Sequence, residues 1–348
     1  MKKLNMFEPF QVKDLILKNR IVFPPMDLYC AKENGLVTDD HYLHYVSRAV
    51  GGTGLVIMEA TAVMPNGRIS DNCLGIWSDQ QIEGLSRVVE GMHRHGGAAG
   101  IQINHAGRKC TANSKDSEYT IGPSPLAFDE TYRTPRQVDI TEIREVVESF
   151  KEAATRAERA GFDIIEIHGA HGYLISEFLS PLTNLREDEY GGSTENRTRF
   201  LMEVLSAVRE VWPAEKPIFL RLSATDHIEG GMTVAEMVKI VNLVKDQVDV
   251  FHISSGGVVP AKIRLYPGYQ VKLSEQIKKE CQVPTIAVGL ITELDSVEEI
   301  LGNARADLVA IGRGLCRNPY WVMQQAFQKE QEYEYPSIYH EAFLDKLR

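Results

Sequence analysis

The stretch Ile164-Ile165-Glu166-Ile167-His168-Gly169-Ala170-His171-Gly172-Tyr173 decides how the whole chain is read. Asp163 to Ile167 is a short, apolar, β-branched run that suits a fully buried strand, and it empties directly into two histidines and a tyrosine separated by small residues. The carboxyl ends of strands are where ligands bind in α/β sheets, open or closed. A single buried histidine is ordinarily a structural hydrogen-bonder. Two histidines three apart, with a tyrosine two further on, form a constellation instead. Two imidazoles and a phenol can bind an oxyanion and deliver a proton, or the imidazoles can hold a metal.

Outward from this stretch, apolar runs of strand length alternate with amphipathic runs of helix length. The expected strands are Arg20–Pro25, Leu55–Ala60, Ala98–Asn104, Asp163–His168, Pro217–Ser223, Asp249–Ser254, Thr285–Val288 and Leu308–Ile311. The expected helices are Asp40–Val50, Asp79–His95, Thr141–Ala160, Glu195–Val211, Thr233–Asp246, Val271–Glu280 and Leu294–Asn303. Side-chain oxygens in Thr141-Glu142-Ile143-Arg144-Glu145 and Ser193-Thr194-Glu195-Asn196 suit helix starts. Eight βα units predict an α/β fold, a single (β/α)₈ TIM barrel spanning residues 1–348, with a doubly wound open sheet as the runner-up. Insertions follow the third strand (Lys109 to Arg136) and the fourth (Tyr173 to Ser193), on the side where a lid or substrate wall belongs. The tail from about 330 to 348, with Tyr333-Glu334-Tyr335-Pro336-Ser337-Ile338-Tyr339, is a candidate subunit contact.

Composition narrows the partners. With 38 Lys+Arg against 48 Asp+Glu and no basic run, neither nucleic acid nor an anionic membrane is expected. Met1-Lys2-Lys3-Leu4-Asn5-Met6 has no apolar segment after its lysines, and no apolar run reaches membrane-spanning length, so a cytoplasmic location is expected. The five cysteines (Cys30, Cys73, Cys110, Cys281 and Cys316) are far apart, which suggests reduced thiols rather than zinc, iron–sulfur or disulfide frameworks.

The strand ends carry the remaining polar chemistry. The first runs through Pro24-Pro25-Met26-Asp27 to Leu28-Tyr29, the second ends in Glu59-Ala60, and the third holds Gln102 before His105-Ala106-Gly107-Arg108-Lys109. Arg221 lies inside the otherwise apolar Phe219–Ser223, which is costly unless an anion or acceptor meets it; Glu166 is one candidate partner. The last three strands end in Ser254-Ser255-Gly256-Gly257, Val288-Gly289 and Gly312-Arg313-Gly314, and such glycine turns admit a phosphate to backbone N–H groups. Neither a dinucleotide fingerprint nor a P-loop is present.

Ser180-Pro181-Leu182-Thr183-Asn184-Leu185-Arg186, Asp188-Glu189-Tyr190-Gly191-Gly192-Ser193 and Glu195-Asn196-Arg197-Thr198-Arg199-Phe200 resemble the signature that follows the catalytic histidines in the Old Yellow Enzyme family of flavin oxidoreductases. The resemblance runs from Leu15, Lys18, Asn19, Arg20 and Ile21 through Gln102 and His105-Ala106-Gly107-Arg108 to Ala310-Ile311-Gly312-Arg313. Tyr29, Gln102 and Lys109 are most similar to the shorter bacterial ene-reductases. The resemblance implies noncovalent FMN, with NADPH or NADH as reductant and an enone- or enal-type substrate. It assigns Pro24, Pro25, Met26, Asp27, Ala60, Gln102 and Arg221 to the isoalloxazine and ribityl chain, and Gly289, Gly312 and Arg313 to the phosphate. His168 and His171 would bind the substrate carbonyl oxygen, Tyr173 would protonate the α-carbon, and Tyr29 would close the pocket. No metal is implied, and homodimer or homotetramer is left open.

The chain departs from that pattern twice. Asp27 stands where the short bacterial branch commonly has a cysteine near the flavin, and no arginine occurs around Tyr339-His340-Glu341 to reach a neighbour's site. The first departure admits an alternative expectation: a flavin-binding barrel with an altered redox role and little ene-reductase turnover.

Overall fold

The structure, a computed structural model, describes residues 4–112 and 119–343. Residues 113–118 of the first expected insertion, residues 344–348 of the tail and Met1-Lys2-Lys3 lie outside the described residues.

Eight parallel strands close into a barrel: β3 (Ile21–Phe23), β4 (Leu55–Ala62), β5 (Ala98–Asn104), β8 (Ile164–Gly169), β9 (Ile218–Ser223), β10 (Val250–Ser254), β11 (Thr285–Ala287) and β12 (Leu308–Ala310), with β12 paired to β3. Each falls on an expected strand, and the open-sheet alternative is ruled out by that closure. The intervening helices are α1 (Asp39–Val50), α2 (Ile82–Arg94), α3 (Ile140–Arg159), α5 (Thr194–Val211), α6 (Val234–Val244), α7 (Val271–Cys281) and α8 (Leu294–Gly302). Ser193 does cap α5, accepting from the Asn196 amide, whereas α3 starts earlier than expected. There Asp139, not Thr141, forms a reciprocal cap with Glu142.

The strands are held in register at their starts by a device used three times. Asp163, Asp249 and Asp307 precede β8, β10 and β12, and each carboxylate accepts the amide that opens or borders a neighbouring strand: Ala99 at 2.8 Å, Ile218 at 2.7 Å and Thr285 at 2.9 Å. The bottom of the barrel is filled by Val22, Leu55, Ile57, Ile164, Phe219, Val250, Ile286 and Leu308. A hairpin that the sequence did not announce, β1 (Phe10–Val12) and β2 (Leu15–Leu17), closes this end by adding Val12 and Leu17 to the same cluster. Each buried aliphatic side chain there contributes roughly 1.5–3 kcal/mol. The described part of the tail lies at this end too, with the Tyr333 ring edge-on to Phe7 at 6.0 Å.

Higher in the barrel the interior turns polar. Gln102 is in register with Glu166, and Arg221 is flanked in register by His168 and His252. One irregularity matters for the mouth. The β4–β5 register shifts between Met58 and Ala60, so Ala60 pairs with Gln102 while Glu59 is left over and turns to Tyr45 on α1. Tyr45 satisfies the bulge in both directions: its hydroxyl accepts the Glu59 amide at 2.9 Å and donates to the Glu59 carboxylate at 2.8 Å.

Candidate active site

β8 delivers His168 to the mouth as its penultimate residue and then breaks into a turn. His171 and Gly172 both have left-handed backbone (φ 60° and 72°), after which Tyr173 opens a short helix, α4 (Leu174–Leu179). Left-handed geometry in a histidine is a strained conformation that surrounding packing must hold. Here the packing is backbone against backbone. A Cβ on Gly172 would lie 2.2 Å from the Gly257 carbonyl oxygen, and one on Gly257 would lie 2.8 Å from the His171 Cα. The Ser254–Gly257 turn therefore serves to seat the histidine turn, not to cradle a phosphate as its glycines suggested. Lys109 ties the two together, donating to the His171 and Gly257 carbonyls at 3.0 and 3.1 Å. Arg108 extends the brace by donating to Leu126, Ala127 and Val258, which brings the insertion after β5, with its short paired strands β6 (Ile121–Gly122) and β7 (Arg136–Gln137), to the same side of the mouth.

The three chemical side chains meet. The His168 ring is perpendicular to Tyr173 (4.9 Å between centroids) and edge-on to His171 at 5.2 Å. Burial, reinforced by the Arg221 charge, pulls both imidazoles well below the usual histidine range, so they are neutral at pH 7. A neutral imidazole has one N–H, and its position follows from the hydrogen bonds. His168 Nδ1 accepts the Ala170 amide at 3.2 Å, which puts the proton on Nε2. His171 Nε2 lies 2.8 Å from Ser254 Oγ. Ser254 Oγ has two acceptors within reach, His171 Nε2 at 2.8 Å and Gln270 Oε1 at 3.3 Å; with its proton on the shorter contact, Gln270 takes the Ser255 proton at 2.7 Å and His171 keeps an N–H at Nδ1. Burial pushes the Tyr173 phenol well above its usual range, so it keeps its proton.

Beneath the rings, Glu166 is wholly buried and does not pair with Arg221 as the sequence allowed. Its oxygens are taken by Gln102 Nε2 and His252 Nδ1, each at 2.8 Å. Arg221, only 8% exposed, is left with a buried Nε that meets no acceptor. A buried guanidinium N–H without an acceptor calls for an acceptor-rich or anionic ligand. On the β11–β12 side, Gly289 has φ 131°, and Gly312 abuts Met26 so closely that a Cβ would lie 3.1 Å from its sulfur. Arg313 is exposed beside Tyr269, and Tyr29 is 49% exposed at the rim. Pro24 and Pro25 are buried under the segment that leads to Asp27. Sequence reasoning missed Ser254, Gln270 and Glu59 as parts of this site. The Ser-Ser-Gly-Gly run after β10 hinted at the first and the Glu59-Ala60 end of the second strand at the last.

Residues 5–332 match the NADH:flavin oxidoreductase / NADH oxidase family. The chain belongs to the Old Yellow Enzyme branch of that family. This flavin oxidoreductase is 58% identical to an NADPH dehydrogenase of Clostridium acetobutylicum over 98% of this chain and 100% of that protein. Its identity to an NADPH dehydrogenase of Geobacillus sp. is 52%, over 91% and 92%. Among solved structures it superposes on morphinone reductase with a TM-score of 0.81 at 29% identity, covering 97% of this chain and 92% of that one. Larger neighbours, a 2-naphthoyl-CoA reductase and a histamine dehydrogenase, are covered over only 52% and 48% of their lengths, so the chain spans about half of each. The protein is thus an NAD(P)H-dependent flavin oxidoreductase whose cofactors are FMN and NAD(P)H. No helix among the described residues is long and apolar enough to cross a membrane.

Proposed function

We propose that this flavin oxidoreductase reduces the activated C=C bond of α,β-unsaturated carbonyl compounds, and that the ring cluster of His168, His171 and Tyr173 is its substrate site. The observation that carries the reading is this cluster, neutral and hydrogen-bond-oriented, beside the Arg221 guanidinium, whose buried Nε has no acceptor among the described residues. The chemistry FMN supplies when bound is two-electron: hydride accepted from NAD(P)H and delivered from flavin N5 to the substrate β-carbon. Arg221 and Gln102, with the backbone of Pro24, Pro25, Met26, Asp27 and Ala60, would hold its ring and ribityl chain. Gly289, Gly312 and Arg313 would hold its phosphate.

The protein's own residues then have distinct tasks. His168 Nε2–H and His171 Nδ1–H donate to the carbonyl oxygen, hydrogen bonds that strengthen as that oxygen gains negative charge. Because both imidazoles are neutral, they polarise the carbonyl without giving up a proton to it. Tyr173 retains its phenolic proton for the α-carbon. Tyr29 covers the substrate at the rim. The alternative, a barrel in which Asp27 suppresses turnover, predicts flavin that NADPH reduces and no enone reoxidises.

Anaerobic reduction with NADPH followed by cyclohexenone separates the two. Replacing His168 and His171 together by alanine is expected to lower reoxidation by at least ~10²–10³, the usual loss for one oxyanion donor, with the flavin spectrum retained. Normal reoxidation in that variant overturns the assignment, and loss of FMN instead would place both residues in the cofactor site.

A further inference from the structure

We propose that Asp27 is the residue through which this enzyme couples flavin reduction to an extra proton: its carboxyl, set against Glu59, takes up a solvent proton when the bound flavin is reduced and releases it on reoxidation. The inference rests on the reading that the isoalloxazine lies against the Pro24–Asp27 segment and Ala60.

The geometry begins with the β4 bulge. By throwing Glu59 outward and Ala60 inward, the bulge places the Ala60 amide where the Asp27 carboxyl accepts it, with the Tyr29 hydroxyl as a second donor. Asp27 thus reaches Ala60, whose backbone the family resemblance places against the flavin, so its state is bound up with how the cofactor sits. Glu59, 0% exposed, stands behind it. Glu59 Oε2 accepts from Tyr45 at 2.8 Å and from the Leu28 amide at 3.3 Å, while Oε1 lies 3.6 Å from His41 Nε2. His41 Nδ1 accepts the Thr38 amide at 3.1 Å, which leaves the proton on Nε2, 3.6 Å from Cys30 Sγ as well, and Glu59 Oε1 has no hydrogen-bond partner among the described residues. Glu59 Oε2 therefore has two fixed donors, one from α1 and one from the segment after β3, whereas the cation acting on Asp27 is the Arg221 guanidinium. The titratable and charged groups facing Asp27 are Glu59 of β4, Tyr45 of α1, Cys73 in the loop after β4, Tyr173 beyond β8, Arg221 of β9, and Tyr29 on its own segment.

Burial, followed by repulsion from Glu59, pushes Asp27 up to about 7 against the opposing pull of the Ala60 amide, Arg221 and Tyr29. The carboxyl is poised near neutrality before any redox charge arrives. Two-electron reduction by NAD(P)H transfers one hydrogen with its electron pair to the flavin and leaves NAD(P)⁺. The added negative charge raises the Asp27 pKa further, so a solvent proton forms an O–H bond on the carboxyl. Hydride return to an alkene removes that charge, and the proton leaves to solvent. Electrons and protons balance with no further reductant. The pH window follows from the sign: below about 7 Asp27 is neutral in both redox states, and well above its raised value it is ionised in both. The extra proton is confined to the interval between.

The test is the flavin midpoint potential of the FMN-loaded protein from pH 5.5 to 9, with proton uptake counted by indicator dye during anaerobic photoreduction, in wild type and Asp27→Asn. The two potentials should run close together near pH 6. Wild type should then fall more steeply above about pH 7, taking up as much as one more proton per electron pair than the asparagine variant. Glu59→Gln, which keeps an oxygen for Tyr45, should move the wild-type bend to lower pH. Should Asp27→Asn not hold FMN, Asp27→Ser provides the non-titrating reference. Parallel potentials and equal proton counts at all pH, with the yellow spectrum intact, overturn this inference while leaving the flavin reading standing. A bend unmoved in Glu59→Gln overturns the carboxyl pair, and a wild-type protein that fails to bind FMN overturns both readings.

Discussion

Ser254→Ala offers the sharpest check on how the histidine turn is read. Ser254 Oγ lies 2.8 Å from His171 Nε2, and its hydroxyl proton is what keeps Nε2 unprotonated and Nδ1–H available to a ligand. Alanine removes that bond and frees the ring to adopt either tautomer, while His168 is unaffected because its own proton is set by the Ala170 amide. A neutral hydrogen bond contributes a net ~0.5–1.5 kcal/mol. If that whole amount is withdrawn from the transition state, reoxidation should slow roughly two- to twelve-fold, at about 1.4 kcal/mol per decade. This is far short of the ~10²–10³ for deleting the imidazole itself. The assay is anaerobic stopped-flow reoxidation of NADPH-reduced enzyme by cyclohexenone, with limiting rate and substrate dependence read separately. Rates unchanged or faster would show that Ser254 does not set the tautomer. A loss as deep as that of His171→Ala would show that it does more than set it.

Tyr173→Phe should slow reoxidation by enone and leave flavin reduction by NADPH little changed; equal slowing of both halves would count against a proton donor. Gly172→Ala should destabilise the fold, since the positive φ costs ~1–3 kcal/mol and overlap with the Gly257 carbonyl costs ~1–3 kcal/mol more. A thermal midpoint equal to wild type would contradict the packing described for the turn. Glu177 is wholly buried, and burial pushes it up to about 8. A carboxyl raised in the folded state stabilises fully below its unfolded value and loses that contribution as pH rises towards 8, at up to ~1.4 kcal/mol per unit. His105, pulled down to about 3 by burial, acts with the opposite sign, but only below about 6.5. Urea unfolding with FMN in excess should therefore show Glu177→Gln gaining relative to wild type between pH 6.5 and 8, and a constant difference would refute the assignment.

The barrel was legible in the sequence because burial on both faces makes parallel strands continuous apolar runs, and eight of them alternate with amphipathic helices. The candidate site residues stood out for a related reason. Polar groups such as His168, His171, Gln102 and Arg221 at the ends of such runs have no packing reason to be there. The most family-specific stretch, Ser180 to Phe200, marks the family without doing its chemistry. In the structure Asn184 binds the Phe178 and Tyr190 carbonyls, Arg186 pairs with Asp188, and Arg197 pairs with Glu236, all bracing the segment behind the histidines. Tertiary structure alone decided the rest. Glu166 was a plausible partner for Arg221 until three-dimensional proximity handed it to Gln102 and His252, and the glycines after β10 were a plausible phosphate turn until the histidine turn was found packed against them. Residue order fixes which groups a strand presents. A one-residue bulge at Met58–Ala60, or a hydroxyl 83 positions away from His171, depends on which backbones close the barrel side by side, and no local pattern encodes that.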